Sequence, residues 1–371
     1  MKIFLDPQIF YLQKFGGVSR IYAEFWSNCI ERGDVEIVCP LFYSDNLHLR
    51  EKNLFPKRLT FLFDKNYPGK KYVNAILKRI NKKYINYHLN KNDYDVFVAS
   101  YYVPYFMDKL QGKPCIATVF DMIHEIFPAY FTAEQEIMAN KKLVCEKSDK
   151  IVAISASTKK DILKFYPAVK DDKVRVIYLS QSIDTNDVNT LGVLPEKYVL
   201  FIGKRGLYKQ FDTLLKAMLP IFEQDNDIKI LCAGGGKLSA TEQQQLNDLK
   251  LQDRIVQYNF NDNELFSIYQ KAALFVFPSE YEGFGIPALE SMVCGCPVIL
   301  SNTSSLPEIA EDAALYFEPN DVNGLTIAIK EILYNASVRE SLIAKGYKQA
   351  KKFSWKKMTE EYLETAREIL K

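Results

Sequence analysis

The stretch LFVFPSEYEGFGIPALE, residues 274–290, has the pattern of a strand, a loop and the start of a helix. Its first five residues form a continuous apolar run, which is typical of a strand covered on both faces in a parallel sheet. Pro287 suits the first turn of a helix, because its missing N–H would be unsatisfied there anyway. Glu282 lies in the loop, and Glu290 follows about one turn into the helix, on a side that can still face the loop. The stretch therefore predicts two carboxylates beside the carboxyl end of a parallel strand.

The same alternation of short apolar runs and longer helical patterns continues along most of the 371 residues. The predicted strands are 2–6, 35–39, 95–99, 115–120, 150–154, 174–178, 198–203, 228–234, 254–258, 274–278, 297–301 and 314–317. Helical patterns between them indicate βα units, and hence an α/β protein with two doubly wound parallel sheets. A chain of this length is also too long for one compact core, so two domains are expected.

The polar, turn-rich segment 180–197 predicts the boundary between these domains. We therefore predict an N-terminal domain over 1–183 and a C-terminal domain over 184–353. Residues 354–371 begin with Ser354 as the predicted N-cap and form an amphipathic helical pattern, predicted to pack back on the first domain. Two such domains would face an interdomain cleft, and ligands of open parallel sheets bind at the carboxyl ends of the strands.

Composition excludes several classes of protein. Hydrophobic residues make up 48% and charged residues 25% of the chain, which is ordinary for a globular protein. The N-terminus does not have the pattern of a signal peptide, and no apolar run approaches the roughly 20 residues of a spanning helix. The sequence therefore predicts a cytoplasmic protein. The seven scattered cysteines indicate reduced thiols, and the three histidines match no metal motif.

A second loop after a predicted strand is strongly basic. Lys204, Arg205 and Lys209 follow the strand 198–203 and precede a helical pattern. Cations at the end of a strand can neutralise a diphosphate, and a guanidinium does so with two parallel hydrogen bonds. A solvated basic face is the alternative interpretation.

In the loop before Pro287, Gly283 and Gly285 allow the backbone to approach a ligand closely and to present N–H donors at the positive end of a helix.

These motifs resemble a known family. EYEGFGIPALE is similar to the glutamate–seven–glutamate signature of family-4 retaining glycosyltransferases, which have the GT-B fold of two Rossmann-like domains. The resemblance implies that Glu282 contacts the transferred sugar and Glu290 the ribose of the nucleotide. It implies that backbone N–H groups near Phe284 and Gly285 hold sugar or phosphate oxygens. It also assigns the diphosphate to Arg205 and Lys209.

The N-terminal half matches the family more loosely. Gly16 and Gly17 stand where the family often has a glycine pair that brings backbone N–H groups to the donor diphosphate, with a plain turn as the alternative. CIATVFDMIHEIFPAYF, residues 115–131, resembles the family's His-Asp loop, with Phe120 in place of the usual histidine. Asp121 stands at the aspartate position. We predict that it contacts an acceptor hydroxyl or handles its proton, with capping of the following loop as the alternative.

Two further positions keep alternative interpretations. His124 either substitutes in part for the missing histidine or packs as a structural residue. Ser304 and Ser305 replace the family's usual glycines before LPE, and their hydroxyls suit either a phosphate or the N-terminus of a helix.

The resemblance implies a retaining hexosyltransferase that moves a sugar from a nucleotide diphosphate sugar to a hydroxyl of a saccharide acceptor, as in the assembly of cell-surface polysaccharide or O-antigen. Basic residues would take the place of a metal, so neither a metal nor another cofactor is expected, and no nucleic acid partner is predicted. Two other classes remain open. A GT-B sugar-nucleotide epimerase would use the same donor without an acceptor, and a non-catalytic sugar-binding protein would bind without turnover.

The segment 50–91 is the most uneven in charge, with twelve lysines and arginines against two acids. In its helical part, Val73, Leu77, Ile80, Tyr84 and Tyr87 recur at helical spacing among basic residues. One interpretation is a basic amphipathic helix at an anionic membrane, which would bring the enzyme to a lipid-linked acceptor at the inner face of the cell membrane. The other is an apolar face turned to the core, with a solvated basic face outside.

Overall fold

The computed structural model describes residues 1–54, 70–185, 192 and 194–371. The chain forms two compact units: unit 1 comprises Met1–Leu179 and Trp355–Lys371, and unit 2 comprises Ser180–Ser354. The predicted boundaries at 183/184 and 353/354 lie within a few residues of these divisions. Residues 186–191 and 193 of the predicted linker, and residues 55–69 of the predicted basic segment, lie outside the described residues.

Unit 1 contains a parallel sheet of six strands in the order β2-β1-β3-β4-β5-β6. The strands are β1 (Lys2–Leu5), β2 (Glu36–Val38), β3 (Val96–Ala99), β4 (Cys115–Val119), β5 (Lys150–Ala153) and β6 (Val174–Val176). The helices along this part of the chain are α1 (Gln8–Leu12), α2 (Gly17–Arg32), α3 (Leu47–Glu51), α4 (Lys70–Lys91), α5 (Ile123–Ile126), α6 (Gln135–Lys147) and α7 (Ala156–Phe165). The strand order reverses between β1 and β3, and the carboxyl ends of these two strands flank the switch point at which doubly wound folds bind ligands.

Unit 2 contains a second parallel sheet of six strands in the order β12-β11-β10-β7-β8-β9. The strands are β7 (Tyr198–Ile202), β8 (Lys229–Ala233), β9 (Ile255–Tyr258), β10 (Leu274–Phe277), β11 (Val298–Ser301) and β12 (Ala314–Phe317). The helices are α8 (Phe211–Phe222), α9 (Ala240–Asp248), α10 (Leu265–Lys271), α11 (Ile286–Val293), α12 (Leu306–Ala310), α13 (Val322–Tyr334) and α14 (Ala336–Ala350). The order is that of the dinucleotide-binding Rossmann fold, with the switch point between β7 and β10.

All twelve predicted strands are present, and the predicted fold class of two doubly wound parallel sheets is confirmed. The physical reason is visible in β10, where each of the four residues is buried. A parallel strand with helices on both faces has no solvent side, so its sequence is continuously apolar and easily recognised. In the same way α8 buries Phe211, Leu214 and Met218 against this sheet, and removing one such side chain typically costs about 2–5 kcal/mol of stability.

The last helix, α15 (Trp355–Glu368), belongs to unit 1. The Tyr362 ring packs on Phe25 of α2 with their centroids 5.1 Å apart, and the Tyr362 hydroxyl forms a hydrogen bond with Thr118 of β4. Arg175 at β6 pairs with Glu364 and Glu368, at 2.7 and 3.0 Å. These contacts explain why a helix at the end of the chain completes the first unit.

Asp6 fixes the loops at the switch point of unit 1. It is fully buried at the end of β1, where it accepts hydrogen bonds from the Tyr105 hydroxyl at 2.5 Å, from both the amide and the hydroxyl of Ser100 at 3.2 Å, and from the Gln8 amide at 3.1 Å. Burial raises the pKa of Asp6 to about 6, although these four donors oppose the shift. The carboxylate thereby ties the loop after β1 to the loop after β3.

Helix α4 buries only part of the predicted apolar stripe. Leu77 packs on Tyr43 together with Val73, whereas Ile80, Tyr84 and Tyr87 are exposed. The interpretation that the whole row is turned to the core therefore does not hold for Ile80, Tyr84 and Tyr87. The buried face of α4 continues through Asn81, Ile85 and Leu89. The Asn81 side chain fixes this face, because it forms hydrogen bonds with the backbone of Phe42 and Tyr43.

A second apolar row runs along the outside of α4, and we call it the α4 outer stripe: Tyr72, Ile76, Ile80, Tyr84 and Tyr87, with 36–79% of each residue exposed. Lys78, Arg79, Lys82 and Lys83 are exposed beside it. No helix in the described part of the chain is both long and apolar enough to cross a membrane. All seven cysteines are free thiols, as predicted.

Candidate functional site

The switch point of unit 2 lies between two loops that are bonded to each other. The β7 loop is Gly203–Gln210 and the β10 loop is Pro278–Gly285. The amide of Glu280 donates to the Tyr208 carbonyl at 2.8 Å, and the Gln210 side-chain amide donates to the Glu280 carboxylate at 2.7 Å. The strand order therefore brings the two predicted site segments, which are about 75 residues apart in sequence, to one edge of one sheet.

Lys209 and Glu282 form an ion pair across this switch point. The Lys209 ammonium is 2.5 Å from Oε1 of Glu282, and 19% and 16% of their side chains are exposed. The ammonium also lies over the rings of Tyr208 and Phe277, 5.0 and 5.2 Å from their centroids, where the ring faces attract a cation. A cation and a carboxylate are thus held side by side, which suits a ligand that carries both negative charge and hydroxyl donors.

The β10 loop is held from behind by two serines. The Glu282 amide donates to the Ser304 hydroxyl at 2.9 Å, and the Ser305 hydroxyl lies 2.9 Å from the carbonyls of both Glu282 and Phe284. The side chain of Ser305 makes no capping bond to α12, although Ser305 occupies its N-cap position. These serines fix the backbone that carries Glu282, a role that the sequence interpretation missed.

Gly285 joins this loop to α11 in a conformation that only glycine tolerates well. Its φ is +106°, and a Cβ there would lie 2.8 Å from Leu306. Pro287 occupies the first turn of α11, as predicted. The amide N–H groups of that first turn face the loop end, where the helix dipole favours an anion. The contact of Phe284 and Gly285 with the donor sugar stays a prediction.

Glu290 lies one turn into α11 and is 6% exposed. Its Oε2 accepts a hydrogen bond at 3.1 Å from the hydroxyl of Tyr269 on α10. Burial and the adjacent carboxylate raise the pKa of Tyr269 well above its ordinary value, so Tyr269 remains a donor. A carboxylate is an acceptor that suits the hydroxyls of a diol, and the assignment of Glu290 to the ribose stays a prediction.

Arg205 does not join Lys209 and Glu282. Its guanidinium is buried and turned toward the loop after β8, where it bonds Glu242 and three backbone carbonyls. Lys204, its neighbour, is exposed. Of the residues that we predicted from the resemblance, the structure therefore brings Lys209 and Glu282 into contact and places Glu290 in the adjoining helix. Arg205 lies against the neighbouring loop.

In unit 1, Asp121 lies at the carboxyl end of β4 and makes the capping interaction that was its alternative interpretation, while its contact with an acceptor hydroxyl stays a prediction. Its Oδ1 accepts from the Ile123 amide at 3.2 Å, which is the capping interaction, while 37% of its side chain remains exposed. The ammonium of Lys141, itself 1% exposed, donates to the Asp121 carbonyl at 3.1 Å and pairs with Glu125 at 2.9 Å. Lys141 thus supports this loop from within.

His124 is held by a carboxylate. Its Nε2 pairs with Glu134, its ring packs on Phe131 with a centroid distance of 4.6 Å, and its Nδ1 is 4.0 Å from Oδ1 of Asp121. Phe120 packs edge-on against Tyr22 of α2, with centroids 6.1 Å apart. His124 is therefore beside Asp121, and its substitution for the family histidine stays a prediction.

The predicted glycine pair begins α2. Gly16 has an extended backbone that any residue can adopt, and nothing lies within 4 Å of a Cβ built on Gly17. The space beside Gly17 is open to a ligand, and the assignment of this pair to the donor diphosphate stays a prediction. Among the described residues, no group of three or more histidines, cysteines, aspartates or glutamates could hold a metal ion.

Comparison with known proteins agrees with this architecture. Residues 184–349 match the family model described as glycosyl transferases group 1, and residues 15–180 match that described as glycosyltransferase family 4. The O-antigen chain mannosyltransferase B of Escherichia coli is 30% identical over 281 residues, covering 72% of each chain. The O-antigen chain mannosyltransferase RfbU of Salmonella typhimurium is 30% identical over 57% of this chain and 59% of its own length.

Solved structures show the same fold. A glycosyltransferase from Rickettsia africae superposes with a TM-score of 0.71 at 19% identity, over 100% of this chain and 98% of its own. Anabaena HepE in complex with UDP-glucose gives a TM-score of 0.72 at 16% identity, over 99% and 100%. The two doubly wound parallel sheets and these structural neighbours show the GT-B fold. The chain belongs to the family-4 glycosyltransferases and is a transferase of glycosyl groups.

Proposed function

We propose that this glycosyltransferase moves a hexose, with mannose as the first candidate, from a nucleotide diphosphate sugar to a hydroxyl of a saccharide acceptor, retaining the anomeric configuration. The observation that carries the proposal is the Lys209–Glu282 ion pair at the switch point of unit 2. Mannose and a role in O-antigen or related polysaccharide assembly are supported by the names of the relatives, several of which are mannosyltransferases.

The proposed chemistry follows from where charge develops. As the sugar leaves, negative charge grows on the diphosphate, and Lys209 and the N-terminus of α11 stabilise it. Glu282 accepts hydrogen bonds from sugar hydroxyls and orients the developing oxocarbenium ion. Glu290, held by Tyr269, binds the ribose diol. These groups act by position and electrostatics, so the donor binds without a metal in this proposal.

We propose no protein nucleophile. Instead, the departing phosphate oxygen receives the proton of the acceptor hydroxyl as the new glycosidic bond forms on the same face. Asp121 then contacts that hydroxyl or a neighbouring one, because its carboxylate is partly exposed at the end of β4.

A donor screen tests the proposal. Thermal unfolding would be followed with GDP-mannose, UDP-glucose, ADP-glucose and dTDP-glucose, and we expect one of them to stabilise the protein by about 2.7 kcal/mol at a hundredfold excess over its Kd. The stabilising donor is then incubated with mannose-terminated oligosaccharides, and NMR gives the anomeric configuration of the product. An inverted product would refute retention, and the absence of stabilisation by every nucleotide sugar would contradict the proposal.

The same incubation separates the alternatives. Release of an epimerised nucleotide sugar without acceptor would indicate the epimerase, and tight binding without any turnover would indicate the sugar-binding protein. Family membership favours the transferase over both.

We also propose that the α4 outer stripe lies on an anionic membrane, where a lipid-linked acceptor would be available. Its aromatic and isoleucine side chains are exposed on the same helix as at least four exposed cations. Such a surface combines apolar insertion with attraction to anionic headgroups, and each cation near the surface contributes about 1 kcal/mol.

Vesicle sedimentation tests this contact. We expect the protein to sediment with phosphatidylglycerol-containing vesicles more strongly than with pure phosphatidylcholine. Lys78→Gln/Lys82→Gln should reduce that binding by roughly tenfold or more, since about 2 kcal/mol of attraction is lost. Lys348→Gln/Lys351→Gln, an equal change of charge at exposed positions of unit 2, is the control. Equal failure of the wild type to bind both vesicle types would eliminate the membrane proposal.

A further inference from the structure

Arg205 uses almost all of its hydrogen-bonding capacity inside unit 2. Its Nε donates to Glu242 at 2.8 Å, Nη1 to the Gly234 carbonyl at 3.3 Å, and Nη2 to the carbonyls of Gly236 and Lys237 at 3.0 and 3.1 Å. Its side chain is 2% exposed. A guanidinium has five N–H donors in a fixed fork, so little remains to form the paired bonds that a diphosphate requires.

The loop that Arg205 contacts has an unusual backbone. Gly234, Gly235 and Gly236 all have positive φ, between +73° and +79°. A Cβ on Gly235 would lie 2.2 Å from the Gly203 carbonyl, so the loop after β8 touches the first residue of the β7 loop. Consecutive residues in the left-handed region do not form a regular series of backbone hydrogen bonds. In this loop the Arg205 side chain instead donates hydrogen bonds to three backbone carbonyls.

Glu242 completes the arrangement. Its Oε1 accepts from Arg205, and its Oε2 accepts from the Ser239 amide at 2.6 Å, in a capping box that begins α9. One carboxylate thereby connects the start of α9 to Arg205. Arg205 in turn is part of the β7 loop, which also carries Lys209.

We propose that Arg205 is a positioning residue of the donor site and does not contact the donor diphosphate. With Glu242 it anchors the β7 loop to the loop after β8, and this anchor holds Lys209 in place for the diphosphate. The proposal rests on the proposed function only for its ligand, a nucleoside diphosphate.

Glu242 distinguishes the two roles by the sign of an effect. If Arg205 bound the diphosphate directly, removing a carboxylate from its side would strengthen anion binding. If Arg205 acts as an anchor, Glu242→Ala weakens binding instead. We expect Glu242→Ala and Arg205→Ala each to lower the affinity for GDP or UDP by about tenfold, the range of a few charged hydrogen bonds acting indirectly. The double variant should be no weaker than either single one, because both remove the same anchor.

Conservative variants sharpen the test. Arg205→Lys keeps the charge without the fork, so it should bind GDP and UDP no better than Arg205→Ala, whereas a direct electrostatic role would be largely rescued. Glu242→Gln keeps an acceptor for Arg205 and should retain most of the wild-type affinity. Affinities are measured by calorimetry well below the thermal transition of each variant, so that loss of fold is excluded. Tighter binding by Glu242→Ala, additive losses, or rescue by lysine would overturn the proposal.

Amide hydrogen exchange measured without nucleotide tests the Arg205–Glu242 anchor independently of ligand binding. The Gly203 and Gly234 amides donate to the carbonyls of Ala233 and Tyr258, both at 2.9 Å. Peptides that contain them should exchange about tenfold faster in Arg205→Ala and Glu242→Ala than in the wild type. If no nucleotide binds the wild type but exchange responds in this way, the proposed function fails and the anchor stands. Unchanged exchange would refute the anchor.

Discussion

Replacing Glu282 by alanine is expected to reduce glycosyl transfer by about 100- to 1000-fold, the usual effect of losing one preorganised electrostatic group in an active site. Its carboxylate is fixed twice, by Lys209 through its side chain and by Ser304 and Ser305 through its backbone. A carboxylate held so firmly orients the sugar without reorganising during the reaction. The initial rate of transfer with the donor identified in the screen is the measurement.

The affinity of Glu282→Ala for GDP or UDP should not fall with the rate of transfer. In Glu282→Ala, Lys209 no longer shares its charge with this carboxylate, so binding of the nucleoside diphosphate should be unchanged or tighter. Loss of kcat with retained nucleotide affinity separates a role in the reaction from a role in folding or binding.

Glu280 provides the matched control, because Glu280→Ala removes the same charge two residues away. The Glu280 side chain bonds Gln210 and Asn320, so this variant tests general disturbance of the loop. We expect it to retain most of its activity. A fully active Glu282→Ala, or an equal loss in Glu280→Ala, would contradict the assigned role.

The sequence predicted the architecture well because parallel strands covered on both faces carry a continuous apolar signal that requires no knowledge of the partner strand. It also located the β7 and β10 loops, since every loop after a strand in such a fold lies at the ligand-binding edge. The sequence did not predict the direct contact between Lys209 and Glu282. That contact depends on β7 and β10 being neighbours, a property of strand order.

Side-chain direction was the harder problem. A motif places Arg205 in the correct loop, but it does not show which way the side chain points. In the structure Glu242 and three backbone carbonyls accept hydrogen bonds from the guanidinium and turn it inward. On α4, apolar residues occupy both faces, so helical spacing alone could not decide which face is buried. The buried face is the one that carries Asn81, whose side chain accepts a hydrogen bond from the Tyr43 amide, 38 residues earlier in the chain.

Replacing Lys209 by methionine is expected to weaken GDP or UDP binding by about 10- to 100-fold, because charge-assisted hydrogen bonds contribute about 1.5–3 kcal/mol each. The loss has two sources. The cation that neutralises the diphosphate is removed, and Glu282 loses its partner and repels the incoming anion. GMP and UMP carry one phosphate group fewer, so their binding should fall less. Calorimetric titration of all four nucleotides measures the difference.

Two further variants show which source dominates. Lys209→Met/Glu282→Gln removes the repelling carboxylate as well, so it should recover part of the nucleoside diphosphate affinity, while transfer should stay as low as in Glu282→Ala. Lys204→Met removes an equal charge from an exposed position in the same loop and should have only a small effect. If Lys204→Met instead lost the diphosphate and Lys209→Met bound it normally, Lys204 would be the cation of this site. The ion pair at the switch point would then serve only to join the two loops.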